Sequence, residues 1–184
     1  MQDVKDFRRT VKKHQRSDGR SAGPIVGQQY AALPWRDQEG LEILLVTSRE
    51  TRRWVIPKGW PMKTRKPHAA AAREALEEAG VTGRVAKRPI GVYSYIKRLK
   101  NGAPLQCTVD VFPLKVAQQR SQWREQNERT VRWFTIDEAA ESVDEPDLQA
   151  VIRTFAERLA ADSERKKGKK AVELAPGPVA EPQA

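Results

Sequence analysis

Trp54-Val55-Ile56-Pro57-Lys58-Gly59-Trp60-Pro61, a short basic loop, and then Ala69-Ala70-Ala71-Ala72-Arg73-Glu74-Ala75-Leu76-Glu77-Glu78-Ala79-Gly80-Val81 decide how this chain folds. The β-formers Trp54, Val55 and Ile56 predict a strand that stops at the turn signature Pro57-Lys58-Gly59. The second stretch predicts a helix. Pro67 suits its first turn, the alanines propagate it, and Gly80 can supply a left-handed stop. Helical residues step by about 100°, so Glu74, Glu77 and Glu78 project from one face. Ala69, Ala72, Leu76 and Ala79 fall opposite, ready to pack on a sheet. Arg73 lies one turn before Glu77, where it can orient a carboxylate. Carboxylates crowded on one face repel one another unless a cation neutralises them. Hard oxygen ligands of this kind suit Mg²⁺ or Mn²⁺, and Mg²⁺ is usually shared with substrate phosphates. A solvated acidic face is the plainer alternative.

Upstream, residues 25–35 suggest a first strand, Asp37-Gln38-Glu39-Gly40 a turn, and residues 41–47 a buried strand. The loop from Ser48 to Arg53 is basic and ends where the Trp54 strand begins, so Arg52 and Arg53 are candidate phosphate ligands. Lys58, Lys63 and Arg65 are further candidates, because their loop joins the strand end to the acidic helix. His68 opens the helix as a surface residue.

Downstream, residues 84–86, 90–96 and 105–114 read as strands, with a hairpin around Asn101-Gly102 and a cationic tip at Lys97, Arg98 and Lys100. Asp110, inside a strand, suits a paired polar residue better than a site residue. Residues 118–128 form a polar segment containing Glu125 and Glu128. Residues 131–134 are a short strand, after which Thr135 caps a helix beginning at Ile136. Residues 146–161 carry Leu148, Val151, Ile152, Phe155 and Leu159 at helical spacing, a face for the far side of the sheet.

At 184 residues the chain holds one cored domain, expected over residues 25–161. A basic flexible arm (1–24) precedes it, and a basic, then Ala/Pro-rich, tail (162–184), disordered or weakly helical, follows. No apolar run is long enough for a membrane span, and Met1-Gln2-Asp3-Val4-Lys5 lacks the apolar core of a signal peptide. The single cysteine, Cys107, excludes an intramolecular disulfide and suits a small core residue; the expected compartment is the cytoplasm. The net charge of +10 implies attraction to polyanions, whether phosphate-rich small molecules or nucleic acid reached through the basic tails.

The central stretch resembles the Nudix box, G-x5-E-x7-R-E-U-x-E-E-x-G-U, with U a bulky apolar residue. Gly59, Arg73-Glu74, Glu77-Glu78, Gly80 and Val81 fall at its spacings. Two positions depart from it: Arg65 stands where the pattern has its first Glu, and Ala75 is small for the apolar slot. The resemblance implies an α/β/α sandwich with a mixed sheet, and metal-dependent hydrolysis of a P–O–P bond. It implies Glu77 and Glu78 as metal ligands, joined by the Lys58 carbonyl. Glu74 would bind metal or help activate water, and Arg73 would hold the carboxylates in place. A loop beyond the box donates a further carboxylate in many members; Glu125 is the candidate, Glu128 the second. Arg65 implies fewer metals or a site leaning on basic residues. Pro-Lys-Gly before the box is similar to some diadenosine polyphosphate hydrolases. Arg52-Arg53-Trp54-Val55-Ile56-Pro57, with Trp123, Glu125 and Arg132-Trp133-Phe134, resembles diphosphoinositol polyphosphate phosphohydrolases. The alternatives are an RNA 5′-pyrophosphohydrolase, and a domain that binds phosphorylated ligand or RNA without cleaving it.

Overall fold

The computed structural model of the chain describes residues 26–99 and 101–173, with side chains described through residue 165. The expected arm (1–24), Lys100 and the last part of the tail lie outside the described residues. The strands are β1 (Val26–Asp37), β2 (Leu41–Thr47), β3 (Trp54–Val55), β4 (Lys58–Gly59), β5 (Val81–Val85), β6 (Gly91–Arg98), β7 (Pro104–Gln119) and β8 (Val131–Thr135). The helices are α1 (Pro67–Ala79), α2 (Ile136–Ser142) and α3 (Pro146–Glu173).

The strands form one mixed sheet in the order β3-β2-β1-β7-β5, with β4 added on β1, β6 on β7 and β8 on β2. β1 runs parallel to β7, Tyr30 opposite Asp110, and every other pairing is antiparallel. Alternation along β1 sends its side chains to two cores. Ala32 joins Ala71, Ala75 and Ala79 of α1 on one face. Ala31 and Leu33 join Ala139, Leu148, Ile152 and Phe155 of α2 and α3 on the other. This is the expected α/β/α sandwich. Among the described residues no helix is long and apolar enough to cross a membrane.

Local chemistry sets the boundaries. Gly80 ends α1 in the left-handed conformation, φ 70°, and its N–H bonds back to the helix. Thr135 and Glu138 form a reciprocal capping box at the start of α2. Gly102, φ 80°, turns the β6–β7 hairpin. Cys107 is fully buried, as a core residue should be.

Three expectations need correction. The Trp54 stretch is two short strands rather than one, because Pro57 has no N–H to donate and offers only its carbonyl, to Ala32 N at 3.0 Å. The buried stripe of α1 is Ala70, Ala71, Ala75 and Ala79 rather than the 69/72/76/79 face, and Glu78 is buried with it. The acidic and packing faces are therefore adjacent, not opposed. Ala75, small for its slot, is wholly buried against the sheet. Finally, α3 runs past residue 161 to Glu173, supported at that point by an Asp162–Arg165 ion pair one turn apart.

Candidate active site

The site forms where β4 meets α1. Gly59 sits opposite Tyr30 in the β1–β4 register. A side chain there would collide with the Glu74 carboxylate, which lies directly against the Gly59 backbone. Only glycine lets the helix bring that acid so close to the strand. Next to it, the Lys58 N–H donates to Glu78 Oε2 at 3.3 Å. Glu74 and Glu78 thus lean on two successive residues of β4, one helical turn apart.

The segment after β7 closes the site from the other side. Trp123 Nε1 donates to the Glu78 carbonyl at 3.2 Å, Arg120 N to Gly80 O at 2.9 Å, and Glu125 N to Glu77 O at 3.1 Å. These bonds satisfy carbonyls that the end of α1 leaves without helical partners. They also place Glu125, expected from its region alone, beside the helix. Arg129 joins the pieces: its guanidinium donates to Glu78 Oε1 at 2.5 Å, Glu125 Oε2 at 2.7 Å and the Thr47 carbonyl at 2.9 Å. Glu77, further out, accepts from Arg73 and Arg124. Glu128 is exposed and accepts from Arg49 at 3.3 Å.

Burial pushes the Glu78 carboxyl up to about 7; Arg129 and Lys58 pull it back, and Glu125 pushes it further up. Burial pulls the Lys58 ammonium down to about 8, with Glu78 opposing that shift.

Not every expected residue converges here. Lys58 occupies the register that faces α3: its ammonium lies over the Tyr95 ring at 5.3 Å. Arg53 points to the same side and donates to Glu145 at 2.6 Å and Asp144 at 3.4 Å. Burial works against the Arg53 charge, but Glu145 and Asp144 outweigh it and hold its pKa above the ordinary value. The second Glu145 oxygen is buried with no hydrogen-bond partner among the described residues. Arg52, left-handed at φ 57°, donates to Glu128 O at 2.8 Å and Thr130 Oγ1 at 3.1 Å. Arg52 and Arg53 are thus committed to internal partners. Lys63 and Arg65 lie exposed in the loop between β4 and α1. His68 packs near Phe112, with ring centroids 6.4 Å apart.

Sequence reasoning missed Arg129, Arg124 and the clamping role of Trp123. The one local signal was the i,i+4 spacing of Glu125 and Arg129, since Arg129 meets Glu78 from 51 residues away.

The donor set is one of hard carboxylate oxygens around a glycine-lined strand end, which suits Mg²⁺ or Mn²⁺. Among the described residues, no three His, Cys, Asp or Glu side chains gather into a ligand cluster by themselves. Guanidinium groups are interleaved with the acids instead.

The family model for the NUDIX domain matches residues 28–158. "Nudix hydrolase 12, mitochondrial" of Arabidopsis thaliana is 33% identical over 128 residues, covering 68% of this chain and 63% of the plant protein. The chain therefore spans less than two thirds of that relative. Diphosphoinositol polyphosphate phosphohydrolase 3-alpha of Mus musculus is 34% identical over 112 residues, 59% of this chain and 64% of the mouse protein. Among solved structures, a C. elegans Ap4A hydrolase binary complex superposes with a TM-score of 0.56 at 21% identity, over 73% of this chain and 98% of that one. That likeness is one of fold.

Proposed function

The chain belongs to the Nudix family, and on that premise we propose that it is a metal-dependent pyrophosphohydrolase of polyphosphorylated small molecules. The observation that carries this reading is the close approach of the Glu74 carboxylate to Gly59, beside the hydrogen bond from the Lys58 N–H to Glu78. It holds two carboxylates at a strand end bordered by the exposed, cationic Lys63–Arg65 loop. In this reading Glu74, Glu77, Glu78 and the Lys58 carbonyl would hold the metal, with Glu125 as a further ligand. A bound Mg²⁺ or Mn²⁺ would neutralise phosphate oxygens and acidify an attacking water. The protein does the positioning. Arg73 and Arg124 fix Glu77, the Lys58 N–H fixes Glu78, and Lys63 and Arg65 offer charge to the substrate phosphates.

The proposed substrates are diadenosine polyphosphates or diphosphoinositol polyphosphates, the classes named for the Ap4A hydrolase and the mouse relative. The proposed compartment is the cytoplasm, to be set by fractionation against the mitochondrial names of several plant relatives. The test is product analysis with Mg²⁺ or Mn²⁺ across both classes, nucleoside triphosphates and 5′-triphosphorylated RNA. Metal-dependent release of phosphate or nucleotide from one class, abolished by EDTA, is the expected result. No turnover on any of them, with ligand binding retained in EDTA, would replace the hydrolase with a ligand-binding domain. The pairing of Glu77, Glu78 and Glu125 with arginines favours that second reading.

A further inference from the structure

We propose that Arg129 is a built-in counter-ion, which holds Glu78 and Glu125 together in the metal-free protein in place of a divalent cation. This rests on the metal-binding reading above. The side chains of Arg129, Glu78 and Glu125 are only 6%, 8% and 14% exposed. Buried carboxylates without a charge partner are costly, and here one guanidinium serves both. Its third bond, to the Thr47 carbonyl, ties it to the end of β2. The next residue reinforces that anchor: Thr130 N donates to Thr47 Oγ1 at 2.9 Å, and Thr47 N to Thr130 O at 2.9 Å. The guanidinium is thus fixed from the sheet, and the two acids come to it from α1 and from the segment after β7.

Arg65 fits the same logic. With an arginine in the first acidic slot of the box, the site has one negative charge fewer to balance. Part of what remains is balanced by the protein itself.

A counter-ion and a plain structural anchor differ in how metal affects the loss. Without Arg129, Glu78 and Glu125 lack their shared partner in the metal-free protein, yet retain one when a dication is bound. The substitution should therefore destabilise the empty protein more than the loaded one. By linkage, the metal must then bind the variant more tightly.

The experiment compares the full chain with Arg129→Gln, by thermal unfolding in EDTA and in Mn²⁺ and by Mn²⁺ titration with electron paramagnetic resonance. The expected result is a lower Tm for the variant in EDTA, largely restored by Mn²⁺, and Mn²⁺ binding tighter by at least about fivefold. Arg129→Lys, which keeps one charge but loses the fork, should show a smaller restoration in the same direction, and it serves as the test if the glutamine variant fails to fold. An equal loss of Tm with and without Mn²⁺, with affinity unchanged or weakened, would reduce Arg129 to an anchor. If the unaltered chain itself binds no Mn²⁺, the metal reading fails first and the counter-ion role falls with it.

Discussion

At Glu78 a carboxylate is buried with donors on both oxygens, the Lys58 N–H and the Arg129 guanidinium. Burial still dominates, and its pKa of about 7 lies above the ordinary 4.5. Folding therefore favours the protonated form. That contribution to stability is complete below pH 4.5 and is lost as pH rises through about 7. In EDTA, the Tm of the unaltered chain should carry a component that falls across this window, and Glu78→Gln should remove it. An identical pH profile for both proteins would mean that the acid titrates normally. That Glu74, Glu77 and Glu78 share one stripe of α1 was legible from helical period, but that the stripe borders the buried face, with Glu78 inside it, was not. Nor were the partners of these acids. Arg129 and Trp123 reach α1 only after the chain has built three more strands and doubled back, a contact with no local periodicity. The partners of Arg53 were not legible for a related reason: Glu145, to which it donates, lies 92 residues further along the chain.

Among the elements, the connection from β7 to β8 matters most to the site. It is irregular, yet it clamps the end of α1 through Arg120, Trp123 and Glu125. The clamp depends on Gly80, where an added Cβ would stand 2.6 Å from the Trp123 ring and φ is 70°. Gly80→Ala should cost about 1–2 kcal/mol from the left-handed backbone alone, lowering Tm by several degrees. Displacing Trp123 should also loosen Glu125 and Arg129, so turnover should fall together with Tm. Full activity at an unchanged Tm would show that the clamp is dispensable. Element types were readable from apolar alternation and from caps such as Thr135. Boundaries were less so. Pro57 split one strand into two, and the burial of Ala75 came from a sheet that the helix sequence does not contain.

On the scale of the whole molecule, the chain carries a net charge of +10, while the acids of the site are held by arginines. Long-range attraction should draw polyphosphates in, so kcat/KM should fall as salt rises from about 0.05 to 0.3 M, over which the screening length shrinks below about 10 Å. A salt-independent kcat/KM would confine recognition to short-range contacts. The three-layer architecture followed from the box stretch and the amphipathic 146–161 helix, each facing one side of a sheet. The parallel β1–β7 pairing at its centre is long-range, and no local pattern announces it. The most direct test of the account is hydrolysis of the best polyphosphate substrate by Glu78→Gln, with Mn²⁺ binding and thermal unfolding measured on the same samples. The expected result is a folded protein with turnover down by at least about 10²-fold and weakened Mn²⁺ binding. Near-normal hydrolysis by that variant would place the catalytic metal elsewhere and contradict it.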